Sequence, residues 1–278
     1  MKPNKCYFIA MKRSSISRKG ENGSVAIIGG SYHMHGAPIF SALSAEASGV
    51  DLIFPYVPRC HVEVTKSHSL NFITSHFREN NLHECDTEDI LESISENSTV
   101  VIGPGLTVSE ETQNAVSSII HDIENPLVID ASALQEWTLE LIRNKNAVIT
   151  PHIGELGRMI GKDLKNKDFK YRKNLVKDIS EEYKITVLLK GAIDIISDGE
   201  NIEEIEGGNA GLTVGGTGDA LAGLIAGLIA QHIKPFEACC TASRIIKRAA
   251  TTLCPEKGYS FTTKDVIENI PHLLHTYS

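Results

Sequence analysis

Short apolar runs rich in β-branched residues alternate with helix-like segments along most of the chain. This order is typical of βαβ units that build a largely parallel sheet. The runs are apolar throughout, as expected of strands covered by helices on both faces. We predict strands at residues 25–28, 51–57, 100–102, 127–129, 147–149, 186–189 and 194–196.

Helix-like patterns separate these strands, and no repeat or low-complexity block interrupts them. A chain of 278 residues is long enough to bury one substantial core, so a single domain is expected. Residues 76–97 are polar and are predicted to form a surface excursion with one helix. The other predicted helices are 38–48, 110–123, 153–160, 171–183, 220–231 and 235–253.

Composition disfavours two classes of partner. The formal charge of −8 offers no field that attracts nucleic acid, so no nucleic-acid partner is expected. The basic amino-terminal segment flanks an apolar run at 6–11, which is shorter than the ~7 residues of a secretion signal. The apolar stretch 220–230 is shorter than the ~20 residues that span a bilayer. We therefore expect a cytoplasmic protein without a membrane partner.

The strongest local signal is a glycine-rich segment that runs from Gly208 to Asp219 and leads into an apolar helix. Glycines let the backbone approach a ligand, and amides at the start of a helix attract anions. A carboxylate at Asp219 can take a proton from an attacking hydroxyl, while the amides of Gly216, Thr217 and Gly218 stabilise phosphoryl oxygens. The alternative is a simple helix cap by Asp219.

The helix after Asp219 is apolar on every face and repeats glycine at Gly223 and Gly227. Such a helix must be buried. Glycines at this spacing also occur where membrane helices dimerise, but the short length favours close packing inside a globular core.

Polar side chains also follow three predicted strands, at the sheet edge where open α/β folds bind ligands. His152 ends one strand and opens a helix, Lys190 and Gly191 close another, and Asp130 follows a third. His152 can orient a substrate, although a lone histidine at a helix start is commonly a surface residue. Asp130 can equally be a turn aspartate.

Other common nucleotide and metal motifs do not fit the chain. No Walker A pattern is present. The turn at Gly103 and Gly105 resembles the start of the Rossmann pattern, but Val108 stands where its third glycine belongs. The six cysteines show no C-x-x-C spacing and are expected to be reduced and mostly structural. Two Cys/His pairs, at 60–61 and 83–85, match no standard zinc spacing.

In combination, the motifs resemble the NAD(P)H-hydrate dehydratase family, whose members have a ribokinase-like fold. The resemblance extends over residues 19 to 270 and implies a three-layer α/β/α sandwich. It divides the chain into an amino-terminal extension, 1–18, and one domain, 19–278. The matching motifs are Lys19-Gly20 with Gly23, Gly29-Gly30-Ser31, Gly36-Ala37-Pro38, Gly103-Pro104-Gly105-Leu106, Asp130-Ala131, Thr150-Pro151-His152 with Gly154-Glu155, Leu189-Lys190-Gly191-Ala192, and 208–223.

The resemblance implies a lyase of metabolite repair that restores hydrated NADH or NADPH by consuming ADP, with ATP as the less favoured nucleotide. Asp219 is then the catalytic base, and Mg²⁺ accompanies the nucleotide without a protein ligand assigned to it. The implied substrate contacts are Ala37, Gly105, His152 and Asp219. The implied nucleotide contacts are Lys190, Gly191, Ala192, Ile193, Asp194, Gly216, Thr217 and Gly218.

The chain departs from the family pattern on the substrate side, at Met34, Thr107, Ser132 and Gln135, and has Ala210 in the glycine-rich loop. The resemblance also implies a homo-oligomer, with a tetramer as the expected form. The first motif begins so near the amino terminus that any companion epimerase is expected on a separate chain. The alternatives are a kinase of a small alcohol, such as a thiazole or pyrimidine vitamin precursor, and a nucleotide-binding protein without turnover.

Overall fold

The computed structural model describes residues 13–276 of the chain. The apolar run at 6–11, and with it most of the extension predicted at 1–18, lies outside these residues. The strands are β1 (Ser24–Ile28), β2 (Leu52–Val57), β3 (Ser75–His76), β4 (Ser98–Ile102), β5 (Leu127–Ile129), β6 (Ala147–Ile149), β7 (Thr186–Leu189), β8 (Asp194–Ser197) and β9 (Ile202–Ile205).

Ten α-helices are described in the same part of the chain, together with short 3-10 turns. They are α1 (Gly36–Ala47), α2 (Val62–His68), α3 (Thr87–Ser93), α4 (Glu110–Asp122), α5 (Thr138–Leu141), α6 (Ile153–Met159), α7 (Phe169–Tyr183), α8 (Thr217–Ala230), α9 (Pro235–Lys257) and α10 (Thr263–Thr276).

The strands form one sheet in the order β3-β2-β1-β4-β5-β6-β7-β8-β9. All neighbours from β3 to β7 are parallel, whereas β8 and β9 add to the edge as antiparallel strands. Successive residues of a strand face opposite sides. Val25 and Ile27 accordingly pack with α1, α8, α9 and α10, while Ala26 and Ile28 pack with α4, α6 and α7. The predicted three-layer sandwich is confirmed.

The buried helix α8 lies directly against α1, as its glycine spacing predicts. All its residues from Ala220 to Ala230 are buried. A methyl group added at Gly223 would lie 2.0 Å from the backbone oxygen of Ser41, and one at Gly227 would lie 2.1 Å from Ser48 Oγ. The glycines are therefore required because the two helix backbones are in contact. No helix within residues 13–276 is long and apolar enough to cross a membrane.

Several expectations need correction. The sequence patterns did not predict β3, β9, α2, α5 or α10, and they placed the start of α8 at residue 220 instead of Thr217. The segment 76–97 does contain one helix, α3, but it is not wholly a surface excursion, because Phe77 and Leu82 are fully buried. Among the described cysteines, Cys239 and Cys240 are buried, whereas Cys60 and Cys85 are exposed and have no structural role in the core.

Candidate active site

The parallel strands bring their polar residues to one edge of the sheet. Asp130 follows β5, His152 lies two residues past Thr150 at the end of β6, and Lys190 follows β7. Lys190 N–H donates to Pro151 O at 2.8 Å, which aligns the ends of β6 and β7. The carboxyl ends of parallel strands are where open α/β folds bind ligands. A cavity of ≈ 850 Å³ opens here, between this edge and the glycine-rich loop.

The amino end of α8 points into the same region. Its first residue is Thr217, and Gly216 precedes it with φ 99°, a left-handed conformation that favours glycine. Phe40 of α1 adds a second constraint, because a methyl group at Gly216 would lie 2.4 Å from its ring. Thr217 Oγ1 donates to Leu212 O at 2.8 Å and ties the loop to the helix. The first amides of α8 are free to bind an anion.

Charged side chains of opposite sign gather beside this helix end. Lys190 Nζ lies 2.7 Å from Asp130 Oδ1 and 3.8 Å from Glu155 Oε2. The pKa of Lys190 is raised: burial alone would lower it, but the charges of Asp130, Glu155 and Asp219 together outweigh that effect. Lys190 is therefore a permanent cation at the rim of the cavity.

Asp219 lies in the first turn of α8 and is half-buried. Burial, followed by the negative charges of Asp130 and Glu155, raises its pKa to about 7, while Lys190 acts in the opposite direction. A carboxylate with such a pKa is a far stronger base than an exposed aspartate. The structure therefore places the predicted catalytic residue beside the free amides of a helix, at the ligand-binding edge of the sheet.

His152 and Glu155 cap the start of α6 together. His152 Nδ1 accepts from the backbone N–H groups of Gly154 at 3.0 Å and Glu155 at 3.2 Å, and Glu155 Oε2 accepts from His152 N–H at 2.7 Å. Because Nδ1 is an acceptor, the neutral ring carries its proton on Nε2. The His152 side chain is 58% exposed and lines the cavity. A cap and a ligand contact are therefore compatible in one side chain.

Most of the predicted nucleotide contacts line this cavity. Ile193 and Gly216 do not appear in its lining, although both adjoin residues that do. Sequence reasoning missed several other lining residues from the glycine-rich loop and from α8 and α9. The predicted residues in the lining are Lys190, Gly191, Ala192, Asp194, Thr217 and Gly218. The missed ones include Asn209, Leu212, Leu221, Ser243, Ile246 and Lys247.

Lys247 is the missed residue with the clearest role. It is buried, and its Nζ donates to Gly191 O at 3.1 Å and to Ala192 O at 2.9 Å. Asp194 completes this arrangement by accepting from Gly191 N–H at 2.8 Å and from Ser243 Oγ at 2.7 Å. The carboxylate of Asp194 therefore shapes the turn from Gly191 onward, besides lining the cavity. No local pattern marks Lys247, because its partners lie more than fifty residues away.

The predicted substrate contacts Ala37 and Gly105 meet on the α1 side of Asp219. A methyl group at Gly105 would lie 3.0 Å from Ala37 Cβ and 2.9 Å from Met34 O. One turn further along α1, Ser41 Oγ donates to the backbone oxygen of Asp219 at 2.9 Å. The first turns of α1 and α8 are thus joined. Asp219 itself is not among the residues that line the cavity, although Gly218, directly before it, is.

Three of the departures from the family pattern belong to one hydrogen-bonded group beneath Gly105. Ser132 Oγ donates to Leu106 O at 2.6 Å, and Gln135 Nε2 donates to Ser132 O at 2.8 Å. Gln113 Nε2 donates to Thr107 O at 2.9 Å and to Ser132 O at 3.3 Å. These side chains therefore support the loop that carries Gly105.

A cation that arrives with a ligand needs no metal site built by the protein alone. Within residues 13–276, no three His, Cys, Asp or Glu side chains form a group that could hold a metal ion by themselves. Mg²⁺ commonly keeps several waters and uses one or two carboxylates together with substrate phosphates. A Mg²⁺ ion held mainly by nucleotide phosphates and water needs no cage of protein ligands, so the described residues are compatible with a nucleotide-bound Mg²⁺.

A mostly parallel sheet, a glycine-led helix end and a half-buried acid at the sheet edge define a protein with the ribokinase-like α/β fold. A family model described as NAD(P)H-hydrate dehydratase matches residues 25–272. The chain therefore belongs to the NAD(P)H-hydrate dehydratase family, and the resemblance seen in the sequence is confirmed.

Individual relatives agree with this assignment. The chain is 38% identical to the ADP-dependent (S)-NAD(P)H-hydrate dehydratase of Nitrosopumilus maritimus, over 95% of this chain and 93% of that one. It is 36% identical to a bifunctional NAD(P)H-hydrate repair enzyme of Hyperthermus butylicus, covering 98% of this chain and 52% of the longer relative. The fold matches the ADP/ATP-dependent NAD(P)H-hydrate dehydratase of Bacillus subtilis, crystallised with ATP/Mg²⁺, with a TM-score of 0.81, 24% identity and coverage of 96% and 94%.

Proposed function

We propose that the protein dehydrates (6S)-NAD(P)H hydrate to NAD(P)H at the expense of ADP, and so repairs a damaged cofactor. The observation that carries this proposal is the position of Asp219. Asp219 lies in the first turn of α8, directly after Gly218 of the cavity lining, its backbone oxygen is bound by Ser41 of α1, and burial raises the pKa of its carboxyl group to about 7. A base in that place can activate a hydroxyl for attack on a phosphoryl group held by the helix.

In the proposed reaction, Asp219 accepts the proton of the C6 hydroxyl while the hydroxyl oxygen attacks the terminal phosphoryl group of ADP. The bond to the bridging oxygen breaks and AMP leaves. The C6 phosphate ester then expels inorganic phosphate as the ring nitrogen donates its lone pair, and loss of a proton from C5 restores the double bond. Hydrate and ADP thus give NAD(P)H, AMP, phosphate and a proton, without hydride transfer.

The residues of the chain divide this work. Amides of Thr217 and Gly218 and the ammonium of Lys190 stabilise charge on the phosphoryl oxygens. Mg²⁺, bound through the nucleotide phosphates and water, would supply charge neutralisation, with no side chain of the chain assigned as its ligand. The buried turn held by Lys247 positions the nucleotide opposite Asp219.

ADP is the proposed nucleotide because the named relatives with a whole-chain match are ADP-dependent. A homo-oligomer, a tetramer in particular, a cytoplasmic location and an epimerase on a separate chain stay predictions from the sequence. The bifunctional relatives agree with a functional link to a second repair activity, since about half of their length matches this chain.

The test is incubation of the purified protein with NADH hydrate, ADP and Mg²⁺, with absorbance of reduced nicotinamide and released phosphate measured together. We expect one phosphate for each NADH restored. Asp219→Asn should lower turnover by roughly 10²- to 10⁴-fold, the usual contribution of a general base. Asp178→Asn, at an exposed position of α7, is the matched control and should keep full turnover. Failure to restore NADH with either ADP or ATP would refute the proposal.

A further inference from the structure

Asp130 is a buried carboxylate that the proposed reaction does not use. Its side chain is 2% exposed, at the end of β5 in the middle of the sheet. Its Oδ1 accepts from Thr150 Oγ1 at 2.8 Å and from Lys190 Nζ at 2.7 Å. A buried charge is retained only with good partners. The Lys190 ammonium is therefore fixed by a group that is itself held from two sides.

The pair reaches the first turn of α8 through Gly218. A methyl group built at Gly218 would lie 3.3 Å from Lys190 Nζ and 3.8 Å from Asp130 Oδ2. The missing side chain at Gly218 thus leaves room for the ammonium to lie against the helix backbone. Lys190 is 20% exposed, so its charge still reaches the cavity.

We propose that Asp130 is a positioning residue for the phosphoryl-transfer step: through its ion pair with Lys190, it fixes the ammonium between Gly218 and Asp219. The proposal rests on the proposed function for the step that it supports. Without Asp130, the long lysine side chain gains rotamer freedom and its ammonium can follow the nucleotide phosphates into the cavity. Misplacing a reactive group by about 1 Å can cost on the order of 10²-fold in rate.

The same geometry gives Asp130 and Lys190 opposite effects on the basicity of Asp219. The charged groups that face Asp219 are Asp130 after β5, Glu155 on α6 and Lys190 after β7, with His152 bound to Glu155 at the start of α6. Loss of the negative charge at Asp130 makes Asp219 easier to ionise, whereas loss of the positive charge at Lys190 makes it harder. A residue that only stabilised the fold would change neither.

The experiment is a double-mutant cycle of Asp130→Asn, Lys190→Met and both together, with kcat measured across pH. Asp130→Asn should lower kcat by roughly 10- to 100-fold in the parent protein, but by less than about 3-fold when Lys190 is already Met. The acidic limb of the pH profile should move to lower pH in Asp130→Asn and to higher pH in Lys190→Met. Equal losses in both backgrounds would overturn the proposal.

Asp86→Asn is the matched control, since Asp86 is equally buried but binds the backbone of Arg78 and His83 away from the site. It should lower the melting temperature and leave the acidic limb in place. If Asp130→Asn fails to fold, the comparison of Lys190→Met with the double variant decides, because the neutral pair leaves no buried charge unpaired. A kcat difference above about 3-fold between those two contradicts the proposal.

A readout that needs no turnover separates this inference from the proposed function. The carboxyl ¹³C resonance of Asp219, assigned by its loss in Asp219→Asn, reports ionisation directly. In Asp130→Asn its titration midpoint should fall by about one pH unit. An unchanged midpoint would overturn the predicted electrostatic effect of Asp130 on Asp219, even if the enzyme is active. A lower midpoint would support that effect, even if no hydrate is consumed.

Discussion

At the scale of single residues, Asp219 combines reactivity with a cost in stability. Burial and two neighbouring carboxylates raise its pKa from the ordinary value of 3.8 to about 7. The folded state therefore binds this proton more tightly than the unfolded chain does. Stability falls as pH rises from about 4 to about 7, because the proton must then leave a buried group.

This leads to a prediction on pH. The wild-type kcat should rise through pH 7, as the ionised base accumulates, and should level off above it. Asp219→Asn should lose that activity but melt at a higher temperature than the wild type at pH 8, since it removes a buried charge that costs stability. At pH 4, where the wild-type carboxyl is protonated in the folded state and only about half ionised in the unfolded chain, most of that difference in melting temperature should be gone. Scanning calorimetry at both pH values is the measurement, and an equal difference at the two would contradict the assignment.

Residue-level reasoning from the sequence succeeded where a local pattern exists. Glycines followed by an acid mark the end of α8, and polar residues directly after apolar runs mark the sheet edge. It could not assign Lys247 or the buried role of Glu155, because their importance comes from partners brought together by the fold. The ligand contacts expected from the sequence stay predictions, which structures of the protein with its ligands would test.

At the scale of elements, the contact of α1 with α8 sets the position of Asp219, the proposed catalytic base. Gly223→Ala should destabilise the protein by roughly 1–3 kcal/mol, the usual cost of overpacking, because the added methyl group meets backbone and not a flexible side chain. Gly215→Ala is the control, since no heavy atom lies within 4 Å of the added methyl group. Chemical denaturation of both variants measures the difference, and equal midpoints would argue against backbone contact at Gly223.

The elements that the sequence did not predict share a physical reason. β3 has two residues, and β9 places two glutamates between its isoleucines on the sheet edge, so neither shows an uninterrupted apolar run. Helix α10 does keep its buried residues at helical spacing, and what argued against it is Pro271, a residue disfavoured inside helices. The central strands were predictable because burial on both faces demands continuous apolar residues. Edge elements meet weaker demands and therefore leave weaker signals.

At the scale of the whole molecule, the proposed function assigns the two ligands to different sides of Asp219. It puts the hydrate beside α1 and the loop after β4, and the nucleotide in the cavity lined in part by α9. Saturating ADP with Mg²⁺ should therefore change the NADH dissociation constant by less than about 3-fold, as expected for adjacent sites without overlap. Titration calorimetry with each ligand alone and in the presence of the other measures this. Mutual exclusion would show that the two ligands share one site.

Lys247→Met provides the matched variant for that measurement. Loss of its ammonium leaves the carbonyl groups of Gly191 and Ala192 without their partner and removes the cation 3.5 Å from the buried carboxylate of Asp194, at a cost of roughly 3–5 kcal/mol. ADP affinity should fall by about tenfold or more, while NADH affinity should stay within about twofold of the wild type. A parallel loss of both affinities would mean that the variant disturbs the whole domain.

Because α1 and α8 are in backbone contact, a core substitution between them can also move Asp219, the proposed catalytic base. Asp219 lies on the first turn of α8, which is buried from Ala220 to Ala230, and Ser41 of the neighbouring helix α1 binds its backbone oxygen. A substitution deep in the hydrophobic interior can therefore retune catalysis without touching any ligand. Variants of the α1–α8 contact that are selected for thermal stability should therefore also be screened for altered turnover.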